Sequence, residues 1–281
     1  MATHPTPAGK LALDAIRAHP ARALLAFDFD GTLAPIVADP EKSRPYPGAV
    51  EALAALAGKG ARIAVITGRP AEVAVRYGGF EEVDGMTVLG HYGAERWDQR
   101  TGEVTAPPPP PALEDVRREL PAVLGATDAW VEEKGRAVAV HTRRARDPQG
   151  LWETLRQPVT ALATRHGLIV EPGRLVLEIR PAGMDKGVAL TALVKEADTA
   201  AVLYAGDDLG DIPAFAAVES LRDTDTDTDT GTDTDTGTPT PGILIYSASQ
   251  EVTALTAHAD LTVNGPAGVV ALLDQLVSEL S

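Results

Sequence analysis

Apolar residues in this chain gather in short unbroken runs, and four of the runs stop on a polar or glycine-bearing tip: "ALLAFDFDG" (23–31), "ARIAVITGR" (61–69), "MTVLGHYG" (86–93) and "AAVLYAGDD" (200–208). Runs of this length with no polar face read as strands buried on both sides. Between the first two lies "PGAVEALAALAGKG", whose apolar spacing predicts a helix opened by Pro47 and closed at Gly58 or Gly60. Strands alternating with helices predict an α/β fold, a doubly wound parallel sheet in which ligands bind beyond the carboxyl ends of the strands.

The rhythm changes in the middle of the chain. Five consecutive prolines, Pro107 to Pro111, form a stiff connector. Beyond it, "AWVEEKGRAVAVHTR" predicts a hairpin turning near Gly135, "LWETLRQPVTALATRHG" a helix strained by Pro158, and "LIVEPGRLVLEIR" a hairpin turning at Pro172 and Gly173. This pattern predicts a separate α+β domain at 102–181 inserted into a core made of 1–101 and 182–281. Within the second part of the core, residues 223–240 are an Asp/Thr repeat without hydrophobic periodicity, expected to be a solvated acidic loop.

Composition narrows the classes. Hydrophobic residues make up 44% of the 281 and aromatics 4%, so the core must be built from aliphatic side chains. The absence of cysteine excludes disulfides, thiolate nucleophiles and thiolate-held zinc, and agrees with a reducing, cytoplasmic setting. No apolar run is long enough to span a bilayer, and a net charge of −15 argues against nucleic acid as a partner. Six of those charges sit in the Asp/Thr repeat, leaving −9 on the rest, so an anionic substrate must be held by local cations, backbone amides or a metal.

Two acidic strand tips supply the candidate chemistry. Asp28 can attack an electrophile as a carboxylate, and Asp30, two residues on, can give a proton to a leaving oxygen and later activate water, although Asp30 and Gly31 could equally make only a turn. "GDDLGDIPAF" places Asp207, Asp208 and Asp211 in one loop entering a helix; such a set of oxygens, with no His or Cys nearby in sequence, suits magnesium, while Asp208 and Asp211 could also serve only as helix caps. A cation shared by Asp28 and Asp207 would let a carboxylate approach a phosphate ester. Thr67, with the amides of Gly68 and Arg69 beside it, and Lys186, in "GMDKG" at the start of a helix, would take the phosphoryl oxygens. His91, His141 and His166 are isolated from one another and predict no zinc site.

In this order, "DFDGT", "ITGR", Lys186 and "GDDLGD" resemble the four motifs of the haloacid dehalogenase superfamily of aspartate-dependent phosphatases. The resemblance implies a Rossmann-like core, Asp28 as nucleophile, Asp30 as acid and base, Thr67 and Lys186 on the phosphoryl group, and Mg2+ on Asp28, the Asp30 carbonyl and Asp207. It also makes the inserted domain a cap. Within the superfamily, "DFDGTLAPIV", "GHYGAERW", "WVEEKGRAVAVHTRR" and "LEIRPAGMDKG" are similar to the trehalose-6-phosphate phosphatase family. That similarity implies sugar contacts from Glu132, Lys134 and Glu178. Glu132 and Lys134 are two apart and would share one strand face, which without the resemblance reads equally as a solvated ion-paired face.

The chain departs from that family at Gly210, where threonine is usual, at Tyr92 in "HYGAE", where a shorter His-Gly-Ala-Glu is common, and at "HTR" in place of His-Tyr-Arg. The expected activity is magnesium-dependent hydrolysis of trehalose 6-phosphate through an aspartyl-phosphate, by a monomer acting on a small sugar phosphate. The rivals are a capped phosphatase for sucrose phosphate or mannosylglycerate phosphate, a sugar-nucleotide glycosyltransferase using Asp28 and Asp30 on a metal diphosphate, and a non-catalytic carbohydrate-binding module.

Overall fold

The computed structural model describes residues 4–37, 39–173, 175–223, 239–248 and 254–280. The expected loop at 223–240 thus lies almost wholly outside the described residues. The chain forms two compact units, one of residues 1–105 and 185–281, the other of 106–184.

The first unit begins with α1 (Pro7–Ala18), β1 (Ala23–Phe27), α2 (Ala49–Gly58), β2 (Arg62–Ile66), α3 (Ala71–Gly78), β3 (Thr87–Gly90), β4 (Glu95–Asp98) and β5 (Glu103–Thr105). The second unit contains α4 (Ala112–Leu124), β6 (Trp130–Glu133), β7 (Val138–His141), α5 (Pro148–Arg165), β8 (Leu168–Gly173) and β9 (Val176–Pro181). The chain then returns to the first with α6 (Lys186–Lys195), β10 (Ala201–Gly206), α7 (Ile212–Arg222), β11 (Gly242–Ser247), β12 (Leu261–Val263) and α8 (Gly265–Glu279).

In the first unit eight strands form one sheet in the order β12-β11-β10-β1-β2-β3-β4-β5, parallel from β12 to β3 and antiparallel beyond. Its central strands β1, β10 and β11 are buried and largely apolar on both faces because alternate residues feed two cores. Leu25, Phe27, Val65, Leu203 and Ile245 pack with α1, α2, α3 and α8, whereas Leu24, Ala26, Ile66, Tyr204 and Leu244 pack with α6 and α7. The expected doubly wound α/β core is therefore present, with an antiparallel edge of β4 and β5 added. Strand order reverses between β1 and β10, the place where such sheets hold ligands.

The second unit is a four-stranded antiparallel sheet, β6-β7-β9-β8. Its apolar face, Val138, Val140, Leu177 and Ile179, packs on α4 and α5. The first hairpin turns at Gly135, with φ of +74°, and α5 carries Pro158 in its interior. Two sequence readings need correction. Pro172 and Gly173 do not make the second turn: they pair with Leu177 and Val176, and the chain reverses after them, with Leu175 at φ +57°. A proline is tolerated there because β8 is an edge strand. Helix α2 starts at Ala49 behind a left-handed Gly48, after rather than at Pro47.

Candidate active site

Parallel pairing of β1 with β10 aligns Phe27 with Ala205, and the amide of Asp28 donates to the Ala205 carbonyl at 2.9 Å. The two acidic tips are thus neighbours at one end of the sheet. Immediately after β1 the chain turns through Gly31 at φ +84°, where a Cβ would lie 2.1 Å from Asp207 Oδ2. Glycine at 31 leaves the space that the Asp207 carboxylate fills. Ser247, buried at the tip of β11, donates to the Gly31 carbonyl at 2.7 Å and ties this turn to a third strand.

Lys186 joins the tips. Its ammonium lies 2.8 Å from Asp28 Oδ1 and 2.7 Å from Asp211 Oδ1, and its side chain is 4% exposed. The residue sits at the first position of α6 because Asp185 caps that helix, accepting from the Val188 amide at 2.8 Å. Asp211 is fully buried and its acceptors are well used: Oδ1 also takes the Tyr204 hydroxyl at 2.7 Å, and Oδ2 takes the amides of Asp207 and Asp208 at 2.9 and 3.1 Å. It shapes the loop as much as it adds charge. Asp208 is exposed, caps with its carboxylate on the Gly210 amide, and stands outside the buried acidic group.

Electrostatics follow from burying several acids around one lysine. Burial lowers the Lys186 pKa, but Asp211 and Asp28 outweigh it and hold the ammonium well above its usual range. Burial pushes Asp28 up, opposed by Lys186. Asp207, buried beside Asp28 and Asp211, is pushed up to about 10. A carboxylate set that one ammonium cannot fully compensate is a natural place for a cation. Oxygens of Asp28, Asp207 and Asp211 all lie within 4.8 Å of one another, and an all-oxygen donor set fits a hard divalent ion.

Asp30 faces a different partner. Arg69 grips its carboxylate as a fork, Nε to Oδ2 at 2.5 Å and Nη2 to Oδ1 at 2.7 Å, while the buried Ser43 donates to Oδ1 at 2.9 Å. The Arg69 guanidinium is thus engaged with Asp30. Ser43 carries no motif that would have singled it out. Thr67 is buried at the tip of β2, and its hydroxyl accepts from the Arg69 amide at 3.2 Å, closing a tight turn over Gly68.

In the second unit, strand register sets Glu132, Ala139 and Glu178 side by side on the sheet face opposite the apolar core. Lys134 Nζ meets Glu178 Oε2 at 2.5 Å, while Glu132 pairs instead with His141 at 2.8 Å. Glu178 is 5% exposed, and among the described residues its Oε1 has no hydrogen-bond partner. A buried carboxylate oxygen left unmet asks for a donor.

The strand order, with the four motif segments at the carboxyl ends of β1, β2 and β10 and the start of α6, is that of a haloacid-dehalogenase-like fold. A family model described as trehalose-phosphatase matches residues 26–241, and the chain belongs to that family. Among curated proteins, the trehalose-phosphate phosphatase of Mycobacterium marinum is 36% identical over 210 residues, covering 70% of this chain and 52% of the relative. That of Mycolicibacterium paratuberculosis is 36% identical over 215 residues, covering 71% of this chain and 51% of its own length. The chain thus spans about half the length of the curated relatives it matches. Among solved structures, the C-terminal domain of the C. albicans trehalose-6-phosphate phosphatase superposes with a TM-score of 0.75 at 22% identity, covering 98% of both chains. A haloacid dehalogenase-like hydrolase from Bacteroides thetaiotaomicron gives 0.61 at 16% identity, covering 90% of this chain and 98% of that one. At such identities the two structures speak for the fold. Among the described residues no helix is long and apolar enough to cross a membrane.

Proposed function

We propose that the chain hydrolyses trehalose 6-phosphate to trehalose and phosphate, in the manner of a phosphoric monoester hydrolase. One observation carries the reading: Lys186 holds Asp28 and Asp211 together beside Asp207 at the tips of β1 and β10. Family membership supports the substrate.

In this reading an Asp28 oxygen attacks phosphorus and the bond from phosphorus to the sugar oxygen breaks, leaving an aspartyl-phosphate. Asp30 gives its proton to the departing oxygen, then takes one from the water that attacks phosphorus and frees Asp28. To do so its carboxylate must leave the Arg69 fork. Lys186 and the Thr67 turn hold the non-bridging oxygens throughout. Asp28, Asp207 and the Asp30 carbonyl would hold magnesium, with Asp211 shaping their loop, and a bound divalent ion supplies the positive charge that lets two anions meet. Glu132, Lys134 and Glu178 bind sugar hydroxyls. The protein acts as a cytoplasmic monomer, and 106–184 serves as a cap.

Magnesium-dependent phosphate release across a panel of sugar phosphates tests this. Trehalose 6-phosphate should give the highest kcat/KM, ahead of sucrose and mannosylglycerate phosphates. Glu178→Ala should lower kcat/KM on trehalose 6-phosphate at least about tenfold more than on p-nitrophenyl phosphate, as expected for a lost hydrogen bond to a charged group. Equal losses on both substrates would contradict the sugar contact.

A further inference from the structure

The segment after β3 carries a second layer of the phosphate site. His91 and Tyr92 adopt left-handed backbone in succession, φ +48° and +59°, although neither is glycine. Such residues cost roughly 1–2 kcal/mol each and persist where the surroundings impose them. Here the amide of Tyr92 donates to the Thr67 carbonyl and the amide of His91 to the Arg69 carbonyl, both at 2.9 Å, so the strained turn is laid directly on residues 67–69. Glu95 completes the brace by accepting from the Ala71 amide at 2.8 Å. On its other side the same turn packs against α6, whose first residue is Lys186.

This placement brings the phenol to one spot. A Cβ on Gly68 would lie 2.8 Å from the Tyr92 hydroxyl oxygen and 2.9 Å from its ring carbon Cζ, so glycine at 68 is what allows the ring tip to come so close. The Tyr92 hydroxyl therefore stands at the middle residue of the turn between Thr67 and Arg69, just beyond β2, which pairs with the strand leading into Asp28. In a chain of net charge −15, each neutral donor near an anion site has weight.

We propose that Tyr92 is a further substrate-contacting residue, its hydroxyl donating a hydrogen bond to a non-bridging oxygen of the phosphomonoester held at Thr67 and Gly68. The inference rests on the phosphatase reading but not on which sugar is attached. The left-handed turn is the backbone conformation that delivers the hydroxyl.

Tyr92→Phe removes the hydroxyl and keeps the ring. Calorimetric titration of wild-type and variant chains with inorganic phosphate, magnesium present, should show phosphate binding about tenfold weaker in the variant. The stabilisation that phosphate confers on the variant, measured against its own unliganded Tm, should shrink accordingly. Unchanged phosphate affinity in the variant, with wild-type binding intact, would overturn the inference and leave the phosphatase reading standing. A wild-type chain that binds no phosphate would overturn both.

Discussion

Lys186 is the residue on which the site's charges balance. Its ammonium pairs with both Asp28 and Asp211, the one cation among the described residues to do so, and its side chain is 4% exposed. Removing one partner of a buried ion pair costs about 3–5 kcal/mol, because the remaining charge has neither water nor counterion. Lys186→Ala should therefore lose about that much stability in a urea titration as well as activity; a loss under about 1 kcal/mol would mean that the carboxylates are not held by it. At this scale Asp28, Thr67 and Asp207 were legible because each follows an apolar run, and Lys186 because it opens a helix in "GMDKG". The Arg69 grip on Asp30 was not, since nothing in "ITGR" says which way a guanidinium turns. Ser43, Tyr204 and Ser247 were invisible for a related reason: each acts through one hydrogen bond across 13, 7 and 216 residues, and such separations leave no local pattern.

Elements set the distances that residues exploit. The turn after β1 is viable only with glycine at 31, for both its positive φ and the Asp207 carboxylate against it. Gly79 shares the positive φ, at +64°, but a Cβ there meets open space. Gly31→Ala should thus abolish phosphatase activity and magnesium-induced stabilisation, while Gly79→Ala should keep both and lower Tm by a few degrees, the effect of about 1 kcal/mol. Comparable activity in the two variants would contradict the role given to the turn. The buried strands were readable as unbroken apolar runs. Strands β4 and β5 were not, being short, half-polar edge segments, and α4 was obscured by the five prolines before it and Pro121 within it, although Leu113, Val116, Leu120 and Leu124 mark its buried face.

For the whole molecule, acid clustering ties stability to pH and to metal. Asp207 has an ordinary carboxylate pKa when unfolded and about 10 when folded without a cation. Because the folded value is the higher one, its contribution is full below the unfolded pKa and is lost as pH rises toward 10. In a chelator, Tm should decline across this window; with magnesium the decline should flatten, so the gap between the two curves widens with pH. Parallel curves would argue against a cation at Asp207. The account as a whole stands or falls on Asp28 as the attacking group, so the decisive measurement is phosphate release from trehalose 6-phosphate by Asp28→Asn with magnesium present. Release should fall by at least about 10⁴-fold with the unfolding transition preserved. Retained turnover in a folded Asp28→Asn chain would contradict it.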